Sequence, residues 1–220
     1  LTPQIRLAPD PGEITVEGGL VADQIRVNPT MCHYALAYAV PALAGVATAE
    51  GRFSLQLERC RMPLADLGAG DVAGKLVIHS VAITPGPLVQ QLAAALGHGS
   101  TANLSRESSI PFAMRDRRIH HEGMELVFPD VTVRTKGSVG FDRSLALVAS
   151  MPVPQKWIGQ NPLGAALQNQ IIEIPVSGTL EQPRLDRRGL EDFMRRFMGT
   201  ATRNVLEDRL RQQLDRRLPK

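Results

Sequence analysis

GSVGFDRSLALVASMPVP (residues 137–154) and IIEIPVSGTLEQPRLD (residues 171–186) decide the fold. Each block reads as extended chain with alternating apolar and polar residues, and a Pro/Gly-containing connection separates them. Period two puts successive side chains on opposite faces of a sheet. Each strand therefore has one aliphatic face, and no chemical motif accompanies it. That pattern suits a sheet that presents an apolar surface. It points to a binding or structural protein more than to an enzyme.

Working outward, Val131, Val133, Thr135 and Gly137 alternate with Thr132, Arg134 and Lys136. Strands are predicted over 110–115, 118–121, 123–128, 131–141, 145–151 and 171–180. The short connections DRR, HEG, PD and DRS join antiparallel neighbours into a meander. Upstream, Phe53, Leu55 and Leu57 face one way and Arg52, Ser54, Gln56 and Glu58 the other. A further strand is predicted over 75–84. Residues 13–27 read as a hairpin turning at Gly18-Gly19, and MCHYALAYAV (residues 31–40) as a third strand ended by Pro41. Between strands, Leu88, Val89, Leu92, Ala95 and Leu96 fall at helical spacing before Gly97, so a short amphipathic helix is predicted near 86–97. Residues 154–170, with the single Trp157, are expected to form a capping turn.

From Arg187 the pattern changes. Leu190, Phe193, Met194, Phe197, Met198, Val205, Leu206, Leu210 and Leu214 follow helical spacing among many arginines. The expected organisation is a curved antiparallel sheet domain, residues 1–186, followed by a basic amphipathic helix, 187–220. The fold class is mainly β with helices (α+β). The basic helix has three readings: it packs on the sheet, lies on an anionic membrane surface through Arg195, Arg196, Arg203 and Arg209, or binds nucleic acid. The last is set aside, because Glu191, Asp192, Glu207 and Asp208 interrupt the basic stripe and no basic–aromatic groove accompanies it.

With 220 residues, the chain is long enough to bury its own core. Aromatic residues make up only 4% of it, so the apolar face must be aliphatic. A formal net charge of +3 gives no global argument for a nucleic-acid partner. The two cysteines, Cys32 and Cys60, are too few for a disulfide scaffold; they either pair across neighbouring strands or stand as buried thiols. No run of eighteen apolar residues occurs. The opening LTPQIRLAPDPGE reads as the start of a fragment or mature form, with any anchor or export signal upstream.

Candidate chemistry is sparse. His120 and His121 are adjacent on an extended chain, so they point apart and cannot readily share a metal. With Glu122 and Gly123 they read as a polar hairpin turn. There is no GxSxG, GxGxxG or P-loop. Ser138 and Ser177 sit beside glycines that fit a bulge or bend, and the carboxylates of Asp66 and Asp71 lie in a loop. No catalytic residue, metal or cofactor is expected.

Two blocks resemble the C-terminal part of AsmA-like bacterial envelope proteins. One is AEGRFSLQLERCRMPLADL and GKLVIHSVAITPGPLVQQL, within 49–92. The other is 118–186, with its GSVGFDRSLAL hairpin and its IPVSGTLEQP strand. Ile174, Pro175, Val176, Gly178, Thr179, Leu180 and Pro183 match the family's hydrophobic–Pro–hydrophobic–x–Gly–Thr–Leu–x–x–Pro habit. The resemblance covers about half the chain. It implies a curved sheet folded like a taco shell with an apolar inner face. It also implies an envelope, periplasmic setting with an N-terminal membrane anchor, and non-enzymatic lipid handling or outer-membrane homeostasis.

The residues expected to face lipid or acyl chains are Phe53, Leu55, Leu57, Leu76, Ile78, Val131, Val133, Val139, Phe141, Leu145, Leu147, Ile172, Ile174 and Val176. The alternative is a structural or assembly module that docks a protein through a sheet edge or the terminal helix. The outcome turns on whether the helices fill the apolar concavity or only cap its ends.

Overall fold

The computed structural model describes residues 5–9, 12–46, 48–83, 85–96, 103–104, 108–128, 131–153, 170–186 and 188. The expected capping turn around Trp157 and the basic C-terminal helix, with Arg195, Arg196, Arg203 and Arg209, lie outside these residues.

Among the described residues, twelve strands form one antiparallel sheet. In chain order they are β1 (Ile5–Ala8), β2 (Glu13–Val16), β3 (Gly19–Arg26), β4 (Ala49–Pro63), β5 (Asp71–Ile83), β6 (Asn103–Leu104), β7 (Ser108–Arg115), β8 (Arg118–Val127), β9 (Thr132–Gly140), β10 (Leu145–Pro152), β11 (Ile171–Gly178) and β12 (Pro183–Leu185). The spatial order is β1-β2-β4-β5-β7-β8-β9-β10-β11-β12, with β3 on β4 and β6 on β8. From β7 onward the sheet is the predicted meander of sequence neighbours. Short connections permit this because antiparallel strands can be joined by tight turns. Asp116 and Arg117, both at positive φ, make the two-residue turn between β7 and β8.

Two sequence expectations are corrected. Residues 13–27 are not a hairpin. β2 pairs with Cys60–Pro63 and β3 with Arg52–Leu57, so both lie along the fifteen-residue β4 as two halves of one interrupted edge. Gly18 lies where the chain steps between them. Leu57 pairs with Gly19 and Cys60 with Val16, so the two glycines continue the edge and do not reverse it.

The stretch at 31–40 is helical, not a strand. α1 (Pro29–Met31) starts with Asn28, whose side-chain oxygen accepts from the Met31 N–H at 2.9 Å, and with proline at the first turn. The chain continues through a π-helical turn (Cys32–Leu36) into α2 (Ala37–Ala39) and a 3₁₀ turn (Pro41–Leu43). Cys32, Leu36, Ala37 and Val40 are its buried residues, spaced as one helical stripe. The apolar run misled because fully apolar stretches look alike as strand or helix; the arbitrating signal was Asn28-Pro29.

α3 (Pro87–Leu96) forms where predicted. Leu88, Val89, Leu92 and Ala93 are its buried face. It contacts the Pro41–Leu43 turn and β12, while α2 contacts β8 and β9. These helical pieces and the inner sheet face share one core, which includes Phe53, Leu76, Ile110, Leu126, Val133, Leu147 and Ile174.

Candidate functional site: the inner face, its cover and its bare end

The register assigns the faces. Paired residues point to the same side, so Leu57, Gly74, Phe112, His121, Gly137, Leu147 and Val176 form one row across the inner face. Of the fourteen residues expected to form the apolar face, twelve are buried: Phe53, Leu57, Leu76, Ile78, Val131, Val133, Val139, Leu145, Leu147, Ile172, Ile174 and Val176. Leu55 is half-buried against the same core. Phe141 does not belong with them. It follows the end of β9, is 37% exposed, and sets its ring edge-on to Tyr38 with centroids 6.1 Å apart. The turn at 141–143 breaks the alternation that had placed it on the face.

Residues 29–46 and α3 supply the cover. The β9–β10 turn ties this cover to the sheet. Arg143 holds a positive φ of 67° there. Its guanidinium pairs with Glu181, donates to the His33 carbonyl at 3.4 Å, and lies 5.9 Å from the Tyr38 ring centroid. The hydrogen bond to Glu181 pushes the Arg143 pKa up; burial opposes that shift but is outweighed. Thus the inner face is filled over β8, β9 and β12 by the protein's own helices, one of which the sequence pattern concealed.

Toward the opposite end the same face grows more exposed, and at β1 it reaches water. Val16 pairs with Cys60 and Ile5 with Val16; Ile14 pairs with Met62 and Leu7 with Ile14. The inner rows therefore run outward from buried Cys60 through half-buried Val16 to Ile5, 68% exposed, and from Met62 through Ile14 to Leu7, 69% exposed. Leu64 and Leu67, in the connection after β4, are exposed as well. Sequence alternation over so short a strand as β1 gave no separate signal for this strip.

His120-His121 is not a hairpin turn; it lies within the continuous strand β8. A bulge between His121 and Met124, with Gly123 at φ +75°, shifts the register there. His121 points inward, is 1% exposed, and shares a 3.3 Å contact between Nε2 and Thr135 Oγ1, while its Nδ1 lacks a partner. Burial first, and His120 second, lower its pKa to about 4, so the ring is neutral at physiological pH. His120 points to the outer face, its buried Nε2 also unpartnered.

Asp23, Ser54 and His79 converge beyond what sequence spacing revealed. Ser54 Oγ donates to Asp23 Oδ1 at 2.9 Å, lies 2.8 Å from His79 Nε2, and accepts the Gln24 N–H at 3.0 Å. A serine hydroxyl has one proton. With that proton on Asp23, His79 meets the serine as a donor, whereas an activated nucleophile gives its proton to the histidine. The carboxylate sits on the hydroxyl and not behind the imidazole. This arrangement fastens the bulged part of β3, where Gln24 has positive φ, to β4 and β5.

Asp66 and Asp71 are separate. Asp66 accepts from Arg117, and Asp71 accepts both of its contacts from Arg59 Nε at 2.8 Å. Ser138 accepts from Arg118 Nε at 2.8 Å. Among the described residues no cluster of three or more His, Cys, Asp or Glu could hold a metal, and no helix is long and apolar enough to cross a membrane. Cys32 and Cys60 are not bonded to each other; both are buried free thiols, Cys32 in the helical cover and Cys60 on β4. Burial pushes the Cys32 thiol up to about 11 and raises that of Cys60.

No protein-family model matches the chain, and no curated protein or solved structure matches it either.

Proposed function

We propose that the chain is a non-enzymatic, AsmA-like envelope domain that handles lipid, with its acyl-contacting surface at the bare β1–β2 end of the inner face. The observation that carries this reading is the aliphatic strip of Ile5, Leu7, Ile14, Val16 and Met62, which extends the inner-face rows of the sheet outside the core cluster and ends on exposed Ile5 and Leu7. Acyl chains bind such a surface by removing apolar area from water, at about 0.8 kcal/mol per buried CH₂. The sequence resemblance within 49–92 and 118–186 supports the same reading, together with a periplasmic setting. Leu147 and Ile174 are buried, so a carboxylate placed at either would report on stability and not on lipid capture.

The test is native mass spectrometry with lipid extraction on the purified chain and on the double variant Ile5→Asp/Leu7→Asp. Both residues are exposed, so this variant keeps the core. Near-stoichiometric acyl species on the parent chain, lost in the variant, are the expected result. A ligand-free mass for the parent chain overturns the lipid reading. One observation favours a second reading, a structural or assembly module: among the described strands β1 hydrogen-bonds to β2 alone, so no described strand covers its other edge.

A further inference from the structure

No described strand pairs with the outer edge of β1, and all four of its residues are exposed. A strand edge presents unpaired backbone N–H and C=O groups. A lipid can cover Ile5 and Leu7 but cannot hydrogen-bond that edge in register; an extended polypeptide can do both. We propose that β1 docks an extended strand of a second polypeptide reading apolar–acidic–apolar.

The side chains of β1 specify this pattern. Ile5 and Leu7 point to the inner face, where a partner's apolar residues would extend the rows that begin at Cys60 and Met62. Arg6 lies between them on the other face, 70% exposed at its side chain, with Nη2 2.9 Å from Glu17 Oε1. An acid opposite Arg6 shares the guanidinium with Glu17 in a cross-strand ion pair, and a base there is repelled.

A second copy of this chain fits poorly. An antiparallel two-fold pairing that keeps inner face beside inner face must centre on a residue. Centred on Arg6, it sets Arg6 against its own copy. Centred on Leu7, it sets Ile5 opposite Pro9, which has no N–H to donate. β1 is four residues long, so the docked segment is short.

The test uses the full 220-residue chain and a fluorescein-labelled peptide, Ser-Val-Glu-Val-Ser, read by fluorescence anisotropy. A Lys-for-Glu peptide should bind about three- to tenfold more weakly, the size of a cross-strand charge reversal. Two N-methylated peptides, one blocked at both valines and one at the glutamate, should separate. Only one of them should lose binding, because alternate residues face the edge. The double variant Arg6→Glu/Glu17→Arg should invert the charge preference. The N-methyl comparison uses the unaltered protein, so it stands even where that variant fails to fold. Absence of peptide binding, equal binding of both N-methyl peptides, or indifference to the peptide's charge overturns the proposal. So does concentration-dependent dimerisation that competes with the peptide, since it would assign the edge to a second copy. Acyl capture at the strip is scored separately by mass spectrometry, so the lipid reading and this one can fail independently.

Discussion

Lowering the pH from 7.5 to 5 should destabilise this fold through His121 in particular. The ring is 1% exposed on the inner face, and its Nδ1 has no partner, so protonation would bury an uncompensated charge. Its pKa falls from 6.5 to about 4 on folding. The unfolded chain therefore takes up the proton first, and stability must decline as pH falls through 6.5, levelling off below about 4. At pH 5 these two values give a loss of about 2 kcal/mol, and about 3 kcal/mol at pH 4, from 1.36 kcal/mol per pKa unit. The assay is urea unfolding of the native chain and of His121→Leu at pH 7.5, 6, 5 and 4.5. Leucine leaves the Thr135 hydroxyl without its contact, a cost independent of pH. It therefore cancels when each protein is compared with itself across pH, and the contribution of every titrating group the two proteins share cancels in the difference between them. The expected result is a steeper loss in the parent chain, with the gap between the two proteins closing by about 2 kcal/mol at pH 5. Parallel curves for the two proteins would refute the argument that this imidazole is held neutral by burial.

Other consequences are equally direct. Gly137 lies at φ +138° in β9, and a Cβ there would sit 2.2 Å from the Ala146 carbonyl oxygen. Gly137→Ala should therefore cost about 3 kcal/mol or more in chemical denaturation; a neutral result would mean that β9 and β10 do not approach so closely. Cys32 and Cys60 should be inert to a thiol-specific disulfide reagent at pH 8 in the native state and react with two equivalents in denaturant. Rapid native labelling would contradict their burial.

Legibility followed the physics of each element. The meander from β7 to β11 was readable because period-two alternation and short turns are local properties, and twelve of the fourteen residues named for the apolar face are indeed buried. Phe141 failed because alternation was carried one residue past the end of a strand. The helix at 29–39 was missed because Cys32, Leu36, Ala37 and Val40 lie in a run apolar enough to satisfy either period. His120-His121 was misplaced in a turn because a bulge and a turn use the same Gly123 signal. The Asp23–Ser54–His79 group was invisible, since its members come from three strands and no spacing rule links them.

By itself the sequence determined that this protein is an antiparallel sheet with one aliphatic face, because side-chain alternation is imposed by backbone geometry before any tertiary contact exists. Only the tertiary structure decided what that face meets. Which helices fold over it depends on chain connectivity and on contacts such as Arg143 with Glu181 and His33, residues distant in sequence. Which strand ends the sheet depends on strand order: β2 and β3 share one flank of β4, and β1 is the outermost described strand on that side, with Ile5 and Leu7 exposed. An apolar residue reads the same in a buried row and at the row's exposed end; its place in the sheet makes one a core and the other a surface for binding.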